Sequence, residues 1–384
     1  MIIKRKIQDL VEKSLFKGKV VIVYGARQVG KTTMVREIQK KYPTDSVYLN
    51  CDEPDIRNAF SEKTSTEIKA FLGNKKLVIL DEAQRVLNIG LTLKLIVDNF
   101  PDMQIIATGS SSFDLSNKIS EPLTGRSYEF HLYPFSLEEI KQAYSDLEID
   151  RILDQRIVFG MYPEIIFSGV EAGRKLKSLA RSYLFKDIFE FQKIKNSEAV
   201  EKLLSALALQ IGNEVSYNEL AQTVGIDKNT VAHYIQILEK AFIIFRLPPF
   251  SRNLRNELKK LRKIYFFDTG VRNAIINNLN PLELRQDIGA LWENFIISEK
   301  IKSNANNGFD KKNYFWRTRE GREIDYLEDF AGKLDGFEIK WKEEKFRIPK
   351  AFAESYPESK IELVNRKNYQ KIFSSEESKK SQDK

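Results

Sequence analysis

Val20–Thr33 reads VVIVYGARQVGKTT, and this stretch decides the fold. Four β-favouring apolar residues, Val20 to Val23, run into Tyr24 and Gly25. Gly25, Gly30, Lys31 and Thr32 then fill the pattern G-x-x-x-x-G-K-[ST] ahead of a helical segment that begins at about Thr32. A di- or triphosphate must be wrapped by backbone N–H groups, and glycine lets the backbone approach without a Cβ in the way. The predicted nucleotide-contacting run is Gly25, Ala26, Arg27, Gln28, Val29, Gly30, Lys31, Thr32 and Thr33. Lys31 would place its ammonium on the outer phosphates, the Thr32 hydroxyl would hold Mg²⁺, and the following helix would present its positive end to the anion.

Around this loop, β/α alternation is expected from Met1 to about Asp146. Strands are predicted at Lys19–Tyr24, Ser46–Asn50, Lys76–Asp81, Gln104–Thr108 and Ser127–His131, with helical periodicity between most of them. Such alternation predicts a mostly parallel sheet with helices on both faces and a ligand site at the strand ends. The wholly apolar run Leu77-Val78-Ile79-Leu80 ends in Asp81-Glu82, where the phosphate loop also opens. Asp81 would reach Mg²⁺ through water, and Glu82 would orient and polarise an attacking water. The fourth strand runs into Gly109 and Ser110, whose hydroxyl would sense the terminal phosphate. Arg126, between Gly125 and the fifth strand, is read either as a finger on transition-state charge, in cis or from a neighbouring copy, or as one half of a surface ion pair.

The set GARQVGKTT, LVILDEAQ, IIATGSSS and LTGRSYEFHLYPFS resembles the AAA-superfamily ATPases of the prokaryotic group often called archaeal-type ATPases. In that family the positions matching Lys31, Thr32, Asp81, Glu82 and Ser110 serve nucleotide, metal, water and sensing, and an arginine like Arg126 serves as the finger. The resemblance implies an α/β protein with an AAA-type P-loop NTPase domain, followed by a winged-helix domain and a restriction-endonuclease-like α/β domain. Met161–Ile165, MYPEI, looks like the family's glycine-glycine-tyrosine-proline-glutamate stretch, with Met161 in place of the second glycine.

Length and charge bound the rest. The chain has 384 residues, room for several domains, and carries 62 Lys+Arg against 54 Asp+Glu, a net +8 that permits nucleic-acid binding without demanding it. No apolar run approaches a membrane span, the N-terminal residues lack a signal-peptide core, and the single cysteine, Cys51, excludes an intrachain disulfide. A cytoplasmic location is expected. The two histidines, His131 and His233, are far apart, so no zinc cluster is expected.

Five segments are predicted: the ATPase domain at 1–146, a helical lid or linker at 147–200, a winged helix-turn-helix at 201–270, a nuclease-like domain at 271–374 and a disordered tail at 375–384. In the third, Ser216 and Glu219 form a capping box, Gly225 supplies the turn and Asp227 caps Lys228–Lys240. Lys228, Asn229, Thr230 and His233 would then meet a DNA groove, although such modules also dock proteins. Ser251–Lys263, SRNLRNELKKLRK, offers Arg252, Arg255, Lys259, Lys260, Arg262 and Lys263 either to a phosphate backbone or to solvent.

In the fourth segment Glu293 lies on an amphipathic helix, Asp325 in REIDYL, and Glu338 and Lys340 in GFEIKW. Strand alternation predicts Ile324 and Tyr326 on one face with Glu323, Asp325 and Leu327 on the other, and Phe337, Ile339 and Trp341 opposite Glu338 and Lys340. The set looks like the PD-(D/E)xK nuclease signature, in which the acids hold Mg²⁺ and the lysine positions the nucleophile. An inactive copy of that fold is the alternative. The combined expectation is an ATP- and Mg²⁺-dependent hydrolase that acts on or docks to DNA, with homo-oligomerisation open. Its rivals are a non-catalytic ATP-gated switch in signalling or defence and a transcriptional regulator.

Overall fold

The computed structural model describes residues 2–109, 122–181, 196–251, 262–318, 320–342 and 345–373. Its first sheet is built from β1 (Val20–Tyr24), β2 (Ser46–Asn50), β3 (Leu77–Asp81), β4 (Gln104–Gly109) and β5 (Ser127–His131), in the order β2-β3-β4-β1-β5 and parallel throughout. The strand predictions agree with these bounds to within a residue at each end. β1 and β3 are fully buried, as their unbroken apolar runs require, because helices cover both faces. The helix Lys31–Gln39 follows β1 directly, and β4 lies between β1 and β3. The carboxyl ends of β1, β3 and β4 therefore open onto one crevice.

After the helix Asp146–Phe159, the helix Ser197–Leu209 is followed by β6 (Glu214–Val215), helices Tyr217–Val224 and Lys228–Lys240, and the antiparallel strands β7 (Ile244–Leu247) and β8 (Arg262–Phe266). These strands form a small sheet ordered β6-β8-β7. Gly225 ends the first of the two adjacent helices in a left-handed conformation, and Asp227 starts the second by accepting the N–H groups of Asn229 and Thr230.

The last sheet, ordered β12-β11-β10-β9, comprises β9 (Lys312–Arg317), β10 (Glu323–Phe330), β11 (Lys333–Ile339) and β12 (Lys360–Val364). β9, β10 and β11 form an antiparallel meander and β12 pairs parallel to β11. A bulge in β10 between Ile324 and Leu327 corrects the simple alternation expected there. The extra residue brings Ile324 and Leu327, three apart, into one apolar cluster with Trp316, Leu334 and Phe352. Leu327 therefore does not share a face with Asp325.

The helix Ile288–Asn306 joins the last unit to the first. It is buried along most of its length, and its polar residues dock on the segment that follows β5. Glu299 Oε2 accepts the Leu137 N–H at 2.7 Å, Lys302 Nζ donates to the Phe135 carbonyl at 3.2 Å, and Asn306 Nδ2 donates to Ser136 Oγ at 3.2 Å. Glu299 and Lys302, 1 % and 2 % exposed, pair at 2.7 Å, so the buried charges neutralise each other. A second contact uses two glycines. A Cβ on Gly160 would lie 2.0 Å from Asp268 Oδ1 and one on Gly270 would lie 2.2 Å from the Phe159 carbonyl, so only glycine allows Asp268 to accept the Met161 N–H at 2.7 Å.

Candidate functional site

The phosphate loop is held in shape by the chain behind it. Gly25 is tight against the next strand segment, where a Cβ would stand 2.2 Å from the Leu132 carbonyl, and Gly30 has φ +98°, open to glycine at little cost. Arg5 braces the loop from the N-terminal segment: it donates to the Val29 carbonyl at 2.6 Å and the Tyr133 carbonyl at 2.7 Å, and pairs with buried Glu139 at 2.9 Å. Ala26 and Val29 are buried, while Gln28, Thr32 and Thr33 are exposed at the crevice. Lys31, 5 % exposed, donates to the carbonyls of Gly25 at 2.8 Å and Ala26 at 2.9 Å, so its ammonium already sits over the loop.

Asp81, at the end of β3, meets three hydroxyls: Thr32 donates to Oδ2 at 2.6 Å, Tyr48 donates to the same oxygen at 2.5 Å, and Thr108 donates to Oδ1. Burial, with the Asp81 charge beside it, pushes the Tyr48 phenol well above its ordinary range and keeps it a neutral donor. Thr32 and Asp81 therefore offer two adjacent oxygens of the hard type that suits Mg²⁺. Glu82 has φ +55°, an uncommon left-handed conformation for this residue type, and its N–H donates to Thr108 Oγ1 at 3.1 Å. Gln84 Nε2 holds the Glu82 carboxylate at 2.6 Å.

Beside the loop lies an open cleft of about 750 Å³ that the motifs alone did not reveal. Ile3, Val29, Met34, Phe135, Pro163 and Phe167 make it largely apolar, with Arg5, Glu37 and Glu164 among its polar walls. Its lining comes from four separated segments, and Pro163 and Glu164 belong to the Met161–Ile165 stretch. An apolar cleft of this volume beside a phosphate loop is of a size for a small-molecule ligand.

Arg126 requires a correction. It precedes β5 at the end paired with Val20, and its carbonyl accepts the Val20 N–H at 2.9 Å. The phosphate loop leaves the opposite end of β1, about 16 Å further along the strand. Arg126 instead pairs with Asp98 at 2.8 Å, both side chains being more than a third exposed. A finger in cis is excluded by this placement. Ser110 lies outside the described residues, as do Arg252, Arg255, Lys259 and Lys260. On the helix Lys228–Lys240, Lys228, Asn229 and His233 are exposed, whereas the Thr230 hydroxyl is taken up by Asp227.

The second cluster draws on four elements. Carboxylate oxygens of Glu293, Glu323 and Asp325 lie within 4.8 Å of one another. Asp325 Oδ2 accepts the Ile339 N–H at 2.8 Å and lies 3.6 Å from Lys340 Nζ, which pairs with Glu338 Oε1 at 2.6 Å. Burial, reinforced by the Asp325 charge, raises Glu293 and Glu338 to about 7, and burial also raises Asp325. Glu323 joins the group although it was not singled out as a ligand. Lys263 corrects the reading of the basic stretch: it is 2 % exposed, its Nζ lies 3.2 Å from Glu293 Oε1 and it bonds Glu323 Oε1. Burial alone would lower the Lys263 pKa, but the charges of Glu293, Glu323 and Asp325 raise it overall. Tyr265, also on β8, donates to Glu293 Oε1 at 2.5 Å.

Comparison with known proteins matches three segments of the chain. Residues 17–141 match a family model described as an AAA domain, while residues 150–282 and 288–378 match two domains of unknown function, DUF8612 and DUF4143. An uncharacterized protein of Mycobacterium tuberculosis is 26 % identical, across 88 % of this chain and 74 % of its own length. One from Methanocaldococcus jannaschii is also 26 % identical, across 93 % and 83 %, and one from Haemophilus influenzae is 22 % identical, across 92 % and 88 %. Among solved structures, the Thermotoga maritima RuvB Holliday junction branch migration motor aligns at TM-score 0.31 and 18 % identity, covering 66 % of this chain and 93 % of that one. The Pif1 helicase of Candida albicans aligns at 0.26 and 17 %, covering 47 % and 48 %. The matched first segment, with its parallel sheet and phosphate loop, is an AAA-type domain.

Proposed function

We propose that this chain binds ATP with Mg²⁺ and hydrolyses it, and that the nucleotide state controls DNA binding or processing by the units that follow the AAA-type domain. The observation that carries the reading is the convergence of Lys31, Thr32, Asp81 and Glu82 at one crevice, beside the apolar cleft. Lys31 would exchange its loop carbonyls for phosphate oxygens, and the nucleobase would lie against Val29, Met34 and Phe135. Thr32 and Asp81 would hold Mg²⁺, which when bound neutralises charge on the phosphoryl oxygens. Glu82, steadied by Gln84, would orient and polarise the attacking water.

The route to the rest of the chain is short. Phe135 lines the cleft and its carbonyl accepts Lys302; Met161 adjoins the cleft segment and its N–H is held by Asp268. A cleft that tightens on nucleotide would therefore pull on the helix Ile288–Asn306 and on the loop after β8. We read residues 197–266 as a winged helix, supported by their order of helix, strand, two helices and hairpin, with Lys228, Asn229 and His233 facing a nucleic acid. Residues 288–364 we read as a nuclease-like fold, supported by Glu293, Asp325, Glu338 and Lys340 in one cluster.

The test is direct. Purified wild-type chain should bind ATP and release phosphate only with Mg²⁺, Lys31→Ala should lose binding, and Glu82→Gln should bind yet stall. Absence of Mg²⁺-dependent ATP binding in the wild type overturns the proposal. The effect of ATP on DNA retention, measured for the wild type and for Glu82→Gln, tests the coupling.

A further inference from the structure

Lys263 lies in a place where a lysine is costly. It is 2 % exposed, on a strand of the small middle sheet, yet its side chain ends among the carboxylates of the next unit. The Glu293, Glu323 and Asp325 oxygens stand within 4.8 Å of one another, a spacing at which ionised carboxylates repel, so a nearby cation is favoured. Lys263 Nζ supplies that cation, 3.2 Å from Glu293 and bonded to Glu323. Lys340 serves the opposite side of the cluster, on Asp325 and Glu338. Glu338 Oε2 is buried with no hydrogen-bond partner, so the acids retain more binding capacity than the two ammonium groups fill.

A divalent ion bridging Glu293 and Glu323 would contact the same oxygens that hold Lys263. The two compete, because Lys263 is bonded to the very oxygens the ion would need and its ammonium would repel the incoming charge. We infer that Lys263 is an internal counter-cation that keeps the Glu293–Glu323–Asp325 cluster closed to divalent metal ions until β8 withdraws. The inference rests on the nuclease-like reading of the C-terminal unit. β8 is a suitable carrier, since two residues beyond it Asp268 grips the Met161 N–H beside the nucleotide cleft. A shift at that end of the strand would move Lys263 at the other.

The experiment measures Mn²⁺ binding to the nucleotide-free full chain by the loss of the free-ion electron paramagnetic resonance signal. Lys263→Met keeps the length of the side chain and removes its charge. It should acquire one Mn²⁺ site about tenfold or more tighter than any in the wild type, the scale of one favourable charge contact. Asp325→Asn added to Lys263→Met should abolish that site. Asp325→Asn in the wild-type background should leave the Mn²⁺ isotherm unchanged, a comparison that stands even if Lys263→Met does not fold. If the wild type already binds Mn²⁺ as tightly as Lys263→Met, with Asp325→Asn removing the site in both, the closure is overturned and the nuclease-like reading survives. If folded Lys263→Met gains no site, the closure is overturned together with a metal role for the cluster.

Discussion

Two carboxylate sites in this chain solve the same electrostatic problem in opposite ways. Asp81 is surrounded by hydroxyls, from Thr32, Tyr48 and Thr108, whereas Asp325 and its acidic neighbours are surrounded by ammonium groups, from Lys263 and Lys340. A hydroxyl can turn its proton elsewhere and offer an oxygen to a metal, so the first site accepts a cation without losing a partner. An ammonium has no acceptor to offer and must leave. On the proposed reading the first site would admit a metal without displacing a charge, whereas the second would have to give up an ammonium group first.

The largest expected effects test the first half of that contrast. Glu82→Gln should reduce phosphate release by about 10²–10⁴-fold, the usual worth of a positioned general base, with ATP affinity nearly unchanged in a fluorescent-nucleotide titration. Lys31→Ala should instead weaken ATP binding by about a hundredfold or more. Equal loss of binding in both would dissolve the distinction between a charge that binds and a charge that activates.

Buried charges elsewhere sharpen the second half. Lys302→Met leaves Glu299 without its cation in the seam between the first and last units and should cost about 3–5 kcal/mol in denaturant unfolding. Lys302→Met combined with Glu299→Leu should recover much of that loss. A double variant as unstable as the single one would show that the Leu137 N–H and Phe135 carbonyl, rather than the charges, dominate.

A smaller effect comes with pH. Glu293 and Glu338 are raised to about 7 in the folded chain from an ordinary 4.5, so between those values the folded state binds more protons than the unfolded one. Unfolding free energy should therefore fall as pH rises from about 4.5 to 7, and level off above. Thermal midpoints for wild type and Glu338→Gln should show a flatter dependence in the variant over this window. The smallest effect is expected at Arg126: Arg126→Ala removes an exposed pair with Asp98 and should change stability by less than about 1 kcal/mol. At protein concentrations where the chain is monomeric, ATP turnover should be unchanged.

The first sheet and its loop were legible because their signals are local. An unbroken apolar strand, fixed glycines and a lysine–threonine pair all fall within Val20–Thr33, and the strand lengths follow from the same apolar runs. The sequence left Arg126 open between a finger and a surface ion pair for a geometric reason: nearness in sequence to a strand does not say which end of the sheet a side chain occupies, and only the Val20–Ser127 register does. Leu327 was misplaced because one inserted residue reverses alternation, and nothing in EIDYL marks a bulge. The apolar cleft and the burial of Lys263 were invisible for a third reason. Each joins segments far apart in the chain, and a lysine in a run of basic residues looks the same whether it meets water or three carboxylates.

Cys51 begins the turn after β2, its N–H bonded to the Asp81 carbonyl at 2.9 Å, and it is fully buried. Burial pushes its thiol up to about 12, so almost none is thiolate at neutral pH. Because the chain has no other cysteine, a maleimide or thiol-exchange reagent reacts with the native protein only when this edge of the first sheet opens. The rate of modification is thus a clock for local opening next to Asp81, readable without any introduced label. The same silence leaves the chain free for a dye placed at a single engineered cysteine, on the Lys228–Lys240 helix for instance.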